Sequence, residues 1–288
     1  MAEHILENEF LRVTVADAGA ELVSVRDKAR DLERIWCGDP AVWNRHAPIL
    51  FPFVGKVVDG EYRVGGRAYP MPTQHGFARD MDFACVAEEA DSVTHRLEAT
   101  DWTRERYPFD FRLDVAHRLQ GRRLHVAWTV ENRGGDRMYF SIGGHPGFML
   151  PEGVKKEDCA ILFPGAGELR CISASPAGYA VTAPKAVALS EGRAPYRADI
   201  PDTWIFEGGQ VQRVGIAGAD GRPWVMLDCP GFPMLAVWAN PKGPFICLEP
   251  WYGRTDDEGF TGTLDQKPGV QALEAGEART IAYSMEFC

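Results

Sequence analysis

Two histidines and one glutamate stand in settings that suit proton transfer on a small molecule. His75 lies in Thr73-Gln74-His75-Gly76-Phe77-Ala78-Arg79, and His145, 70 positions later, in Gly143-Gly144-His145-Pro146-Gly147-Phe148. Each is wedged among glycine, phenylalanine or proline, where tight backbone geometry brings an aromatic ring close. Imidazole is the unperturbed side chain that changes charge near neutral pH, so two so placed point to acid–base work. Glu249 interrupts the apolar run Phe245-Ile246-Cys247-Leu248-Glu249-Pro250-Trp251. A carboxylate there needs a buried partner or a chemical role, because burying it unpaired costs several kcal/mol. Low dielectric also raises its pKa toward the range of a general base working near neutrality.

The elements that must position these groups are strands. Leu113, Val115, His117 and Leu119 alternate with charged or small residues, and after a turn at Gly121-Arg122 so do Leu124, Val126, Trp128 and Val130. That is a hairpin with one buried face. Ile281, Tyr283, Met285 and Phe287 repeat the pattern near the end of the chain. Glycine and proline punctuate the chain throughout, and no long segment keeps a 3.6-residue apolar stripe; residues 39–46 form a short helix at most. The expected fold is all-β, one large antiparallel sandwich over residues 1–288. Read as a strand, Met138 to His145 puts Tyr139, Ser141, Gly143 and His145 on one face, with Gly143 leaving room above the sheet. Pro244 to Trp251 puts Phe245, Cys247, Glu249 and Trp251 together, opposite Ile246 and Leu248.

Each candidate has a plainer reading. His75 could hold a loop through backbone carbonyls, His145 could be a turn residue before proline, and Glu249 could pair with Arg254 or another arginine. Among the other histidines, His117 reads as a satisfied core residue, His95 and His125 as surface strand positions, His4 as terminal and His46 as ambiguous. A net charge of −10 argues against nucleic acid and anionic membrane surfaces as partners. No apolar run is long enough to span a bilayer, and no basic leader followed by an apolar stretch opens the chain. The 7 cysteines are scattered singly, which predicts reduced thiols in a cytoplasmic protein and neither disulfides nor a zinc site.

Six segments, in order, resemble the aldose 1-epimerase (galactose mutarotase) superfamily, most closely its LacX-like branch. They are Arg45-His46-Ala47-Pro48-Ile49-Leu50-Phe51-Pro52-Phe53-Val54-Gly55-Lys56; Asp59-Gly60-Glu61-Tyr62 with Gly65-Gly66 and Tyr69; and His75-Gly76-Phe77-Ala78-Arg79. Gly144-His145-Pro146-Gly147-Phe148, Asp202-Thr203-Trp204-Ile205-Phe206 and Cys247-Leu248-Glu249-Pro250-Trp251-Tyr252-Gly253 follow. The resemblance implies a supersandwich with an open cleft, a free aldose as substrate, and no metal or organic cofactor. It implies Glu249 as base, His145 as the acid that protonates the ring oxygen, and His75 as a positioning group that can share the acid role. Asp202 and Lys56 would orient hydroxyls, with Arg79 and Arg45 available beside them, and Phe148, Trp204 or Trp251 would stack on the sugar.

Two positions depart from the better-studied galactose mutarotases. Lys56 stands where they have arginine, replacing a planar two-pronged donor by a mobile point charge. Gly144 stands where they have asparagine, so sugar preference does not transfer. The alternatives are a hexose-6-phosphate mutarotase, for which Arg45, Arg79 and Arg254 could hold phosphate, and a carbohydrate-binding protein without turnover. Either a monomer or a homodimer is compatible with the sequence.

Overall fold

The computed structural model describes residues 2–196 and 203–288. Among the described residues strands dominate, and the pairings between the named strands are antiparallel. A nine-stranded sheet runs, edge to edge, through Arg193–Pro195, Ala160–Leu162, Arg213–Ala217, Pro223–Asp228, Ala278–Phe287, Arg123–Asn132, Phe111–Gln120, Ser92–Glu98 and Ala84–Glu88. An eight-stranded sheet runs through Ala180–Val187, Leu169–Ala174, Thr203–Phe206, Met234–Trp238, Phe245–Tyr252, Ile142–Gly144 and Ile49–Leu50, with Gly147–Met149 also pairing to Phe245–Tyr252. A four-stranded sheet is formed by Glu3–Glu7, Leu11–Ala16, Leu22–Asp27 and Leu32–Glu33. Among the described residues the α-helix is a single short turn, Asp101–Arg104, and no helix is long and apolar enough to cross a membrane.

The alternation read from sequence sets the core. Val115 faces Trp128 and Leu119 faces Leu124 across the hairpin, Gln120 pairs with Arg123, and Gly121 takes φ 56° in the two-residue turn between them. Leu113, Val115, Leu119, Leu124, Val126, Trp128, Val130, Met285 and Phe287 are all buried. Trp128 and Tyr283 (5.2 Å between ring centroids) reach from this sheet toward the eight-stranded one, where Phe232 meets Tyr252 at 4.8 Å. Full burial of each such side chain stabilises the fold by roughly 1.5–3 kcal/mol.

Three expectations change. His95 is fully buried, because it falls between Val93 and Leu97 on the inward face of Ser92–Glu98. The segment from Met138 to His145 is not one strand: Met138–Phe140 pairs with Gln271–Leu273, and Ile142–Gly144 pairs with Phe245–Tyr252 and Ile49–Leu50. The break falls at Ser141, whose N–H leaves the ladder and donates to the Pro52 carbonyl at 2.8 Å. The room expected above Gly143 is filled by Trp251, whose ring would lie 2.5 Å from a Cβ at that position.

A buried charge cluster closes one end of the four-stranded sheet. Asp27 and Arg34 are both essentially buried, and Arg34 Nη1 donates to Asp27 Oδ2 at 3.1 Å. Arg122 bonds the same oxygen and Arg30 approaches it at 3.2 Å. The Arg34 guanidinium lies 3.8 Å over the Trp224 ring and donates to the Trp224 carbonyl. Burial pulls Arg34 down to about 10, against the opposing charge of Asp27.

Candidate active site

The eight-stranded sheet presents Glu249 to an open cleft of about 660 Å³, within the usual size of a small-molecule site. Strand Phe245–Tyr252 does this by alternation: Ile246 and Leu248 enter the main core, while Phe245, Cys247, Glu249 and Trp251 share the opposite face. Glu249 is 1 % exposed, and its Oε2 lies 3.3 Å from His145 Nε2. The Arg254 alternative fails, because that guanidinium is held by Glu207 at 2.7 Å and Asp257 at 2.6 Å. Burial pushes the Glu249 carboxyl well above its ordinary range; the nearby Trp251 indole offsets this in part without closing a hydrogen bond of regular geometry. Burial pulls His145 down to about 3, and the positive charge of Arg79 adds to the effect. Both members of the pair therefore favour their neutral forms when they face each other alone.

His145 sits just past Ile142–Gly144, its N–H bound to the Pro48 carbonyl at 3.1 Å. Trp43 (4.9 Å), Trp238 (5.3 Å) and His75 (5.6 Å) surround its ring. His75 has φ 69°, the left-handed region uncommon for a residue with a side chain. Two hydrogen bonds to Gly55 hold it there: the His75 N–H donates to the Gly55 carbonyl at 2.7 Å, and the Gly55 N–H donates to His75 Nδ1 at 3.0 Å. Because Nδ1 accepts, the neutral ring carries its proton on Nε2. Burial, reinforced by His145 and Arg79, keeps His75 well below the ordinary imidazole range. In that neutral form it offers the cleft a hydrogen-bond donor, Nε2–H. Gly76 is required beside it, since a Cβ there would stand 2.3 Å from the Phe51 carbonyl oxygen.

Of the other residues singled out in sequence, Arg79 and Trp251 line the cleft. Arg45 does not: it donates to the Arg79 carbonyl at 3.0 Å and pairs with Asp80, supporting the segment from behind. Lys56 turns back to the Ala177 carbonyl at 2.8 Å and so fastens a rim loop. Phe148 and Trp204 belong to the core. Phe148 is paired with Ile246 and Trp204 with Val237, and cross-strand partners share a face. Asp202 lies outside the described residues. Trp43, Trp238, Gln74, Thr203, Asn240 and Thr255 line the cleft without having been singled out. Strand parity could have found Trp238, two positions from the Ala236 that pairs with Glu249. Gly144 also has a local reason: a Cβ there would meet the Tyr283 hydroxyl at 2.8 Å and Trp128 at 3.3 Å, so the position faces the core.

The sequence model of the aldose 1-epimerase family matches residues 3–184, and the chain belongs to that family. Within it the chain falls in the LacX-like branch: it is 28% identical over 277 residues to the chromosomal protein LacX of Lactococcus lactis subsp. lactis, covering 92% of each. A galactose mutarotase-related enzyme from Lactobacillus acidophilus superposes with a TM-score of 0.93 at 30% identity, over 100% of this chain and 97% of that one. A galactose mutarotase-like protein from Lactobacillus casei gives 0.93 at 31% identity over 100% of both. The fold is thus the galactose mutarotase-like sandwich, and the chain is an isomerase of the epimerase type with a small sugar as its partner.

Proposed function

We propose that the protein is a mutarotase that interconverts the α and β anomers of an uncharged aldose. The observation that supports this reading is the buried Glu249–His145 pair, 3.3 Å apart at the cleft, with His75 beside it. Glu249 takes the proton of the anomeric hydroxyl while His145 donates one to the ring oxygen. The C1–O5 bond breaks and leaves an open-chain aldehyde. Rotation about C1–C2 presents the other carbonyl face. The O5 hydroxyl returns its proton to His145 as it attacks C1, and the carbonyl oxygen takes the proton held by Glu249. His75 Nε2–H donates to a ring or hydroxyl oxygen and holds the sugar in place. Trp43, Trp238 and Trp251 supply apolar surface for the sugar face.

An uncharged substrate is favoured over a sugar phosphate by what the arginines do. Of Arg45, Arg79 and Arg254, Arg79 alone lines the cleft, and the other two are committed to carboxylates. Polarimetry on freshly dissolved α-glucose, α-galactose and glucose 6-phosphate tests both points. Faster equilibration of a free sugar than of its phosphate is expected; no acceleration of any of them overturns the catalytic reading.

His145→Asn is expected to lower kcat by roughly 10²–10⁴-fold at every pH, the usual contribution of a positioned acid or base. A change confined to KM would make His145 a binding residue instead. The pH profile provides a second check. His145 faces Glu249, His75 and Arg79, and the working pair carries one proton between its two members. Burial lowers His145 itself to about 3, with Arg79 adding to the effect. We therefore expect kcat/KM to stay level from about pH 5 to pH 7, where an ordinary imidazole would titrate, and to fall on the alkaline side as the shared proton is lost. An inflection near 6.5 would show that the pair does not titrate as a unit.

A further inference from the structure

Away from the cleft, strand Glu3–Glu7 packs against the sheet formed by Ser92–Glu98 and Phe111–Gln120. There His4, Cys85 and His95 meet, and their ligand-capable atoms all lie within 4.8 Å of one another. The positions are too far apart in the chain for spacing to suggest a metal site, and the cysteine pattern argues against one; the fold brings them together. His95 is 0 % exposed and neither of its ring nitrogens makes a hydrogen bond. An imidazole sealed from water whose nitrogens close no regular hydrogen bond is unusual, since buried polar atoms are nearly always satisfied. Asp17 Oδ1 lies 3.4 Å from His95 Nε2 and 3.0 Å from His4 Nε2. Asp17 is itself tied to the start of the next strand by the Phe83 N–H on its carbonyl at 2.9 Å. The other nitrogen of His4, Nδ1, faces Glu88 Oε2 at 3.0 Å.

We propose that His4, Cys85 and His95 bind a divalent transition-metal ion of the zinc class, with the Asp17 carboxylate orienting the two imidazoles. Two imidazoles and a thiolate form a donor set of borderline softness, which suits zinc or cobalt better than magnesium or calcium and leaves the fourth tetrahedral position to water. Tetrahedral bonds of about 2.0–2.3 Å place ligand atoms roughly 3.3–3.8 Å apart, so small side-chain rotations close the observed spacing. A metal-bound histidine ordinarily offers its second nitrogen to a carboxylate, the relation His4 and His95 have with Asp17. Cys85 is exposed, which gives the ion an entry path, and its sulfur makes only a 3.7 Å contact with the Ala87 carbonyl. The ion would clasp the first strand to the edge of the nine-stranded sheet and act on stability, not on turnover.

The test uses the full chain, stripped with a chelator and titrated with CoCl2. One equivalent should produce the near-ultraviolet thiolate-to-cobalt absorption and the intense visible bands of a tetrahedral ion, and ZnCl2 should displace both. ZnCl2 should also raise the melting temperature. Cys85→Ser, a change at an exposed position, should abolish the thiolate band and the zinc-dependent rise in melting temperature while leaving sugar turnover unchanged. His95→Asn should weaken cobalt binding at least tenfold. Glu249→Gln and Cys37→Ser should leave the band intact. A second group, His145, Cys247 and Glu249, has ligand atoms equally close, so a band lost in Glu249→Gln but kept in Cys85→Ser places the ion in the cleft and overturns the proposal. Absence of any thiolate band at saturating cobalt overturns it as well.

Discussion

Glu249→Gln should lose turnover by roughly 10²–10⁴-fold in kcat, keep most of its sugar affinity, and melt at a higher temperature than the parent protein at neutral pH. The first part follows from the proposed role, since an amide has the shape of the carboxyl but cannot take the anomeric proton. The second follows from burial. Glu249 is 1 % exposed, and its Oε2 has no hydrogen-bond partner. Its folded-state pKa is raised by that burial, so the stability it lends is complete below the unfolded value near 4.5 and is lost as pH rises toward the folded pKa. The neutral amide does not lose it. The difference in melting temperature should therefore be small near pH 4.5 and grow in favour of glutamine toward pH 8, by about 2–4 °C for each kcal/mol. Thermal melts of both proteins across that range decide it. Unchanged turnover would remove Glu249 from the role of base; a variant that melts lower at pH 8 would show that His145 stabilises the carboxylate by more than burial costs it.

Asp27→Ala is expected to produce the largest loss of stability, about 3–5 kcal/mol, with no direct effect on the cleft. Asp27 is fully buried and receives Arg34, Arg30 and Arg122, along with the backbone N–H groups of Ala29 and Arg30. Removing it leaves three guanidinium groups facing one another, with Arg34 sealed from water. Burial opposes ionisation of Asp27, yet the hydrogen bond and charge of Arg122 outweigh it and hold the carboxyl below its ordinary range. The sign is the reverse of that at Glu249: this stability is present above the unfolded value near 3.9 and lost as pH falls through the folded pKa. Denaturant melts should show a large gap between parent and variant at pH 7 that narrows in acid. A gap below 1 kcal/mol at pH 7 would mean that water or a rearranged arginine replaces the carboxylate.

The all-β fold was legible because alternation of period two runs cleanly through the hairpin of residues 111–132 and the strand Ala278–Phe287. The same parity placed Glu249 on the face opposite Ile246 and Leu248. What alternation cannot supply is register between strands. Phe148 and Trp204 looked like stacking rings, but pairing with Ile246 and Val237 turns both inward, while Thr203 and Ile205 on either side of Trp204 line the cleft. Trp43 was hidden for another reason: it follows a single turn, in which the Asp39 carbonyl accepts from Val42 and Trp43, within a stretch that has no periodicity to read. Lys56 and Arg45 have the right chemistry and the right neighbourhood, and are taken up by backbone carbonyls or Asp80 instead.

One strand, Phe245–Tyr252, packs the interior with every second residue and presents the Glu249 carboxylate to the cleft from the other face. Inserting a single residue within it would reverse the facing of everything beyond the insertion. Ile246 and Leu248 could then not stay inside while Glu249 stayed in the cleft, so the tolerance of this strand to length change is close to nil. The loops at residues 175–178 and 240–243, which contribute Ser175, Pro176, Gly178 and Asn240 to the cleft wall, are under no such constraint. Insertions and deletions at that rim can therefore reshape the cleft wall while the positions of Glu249 and His145 stay fixed by the core.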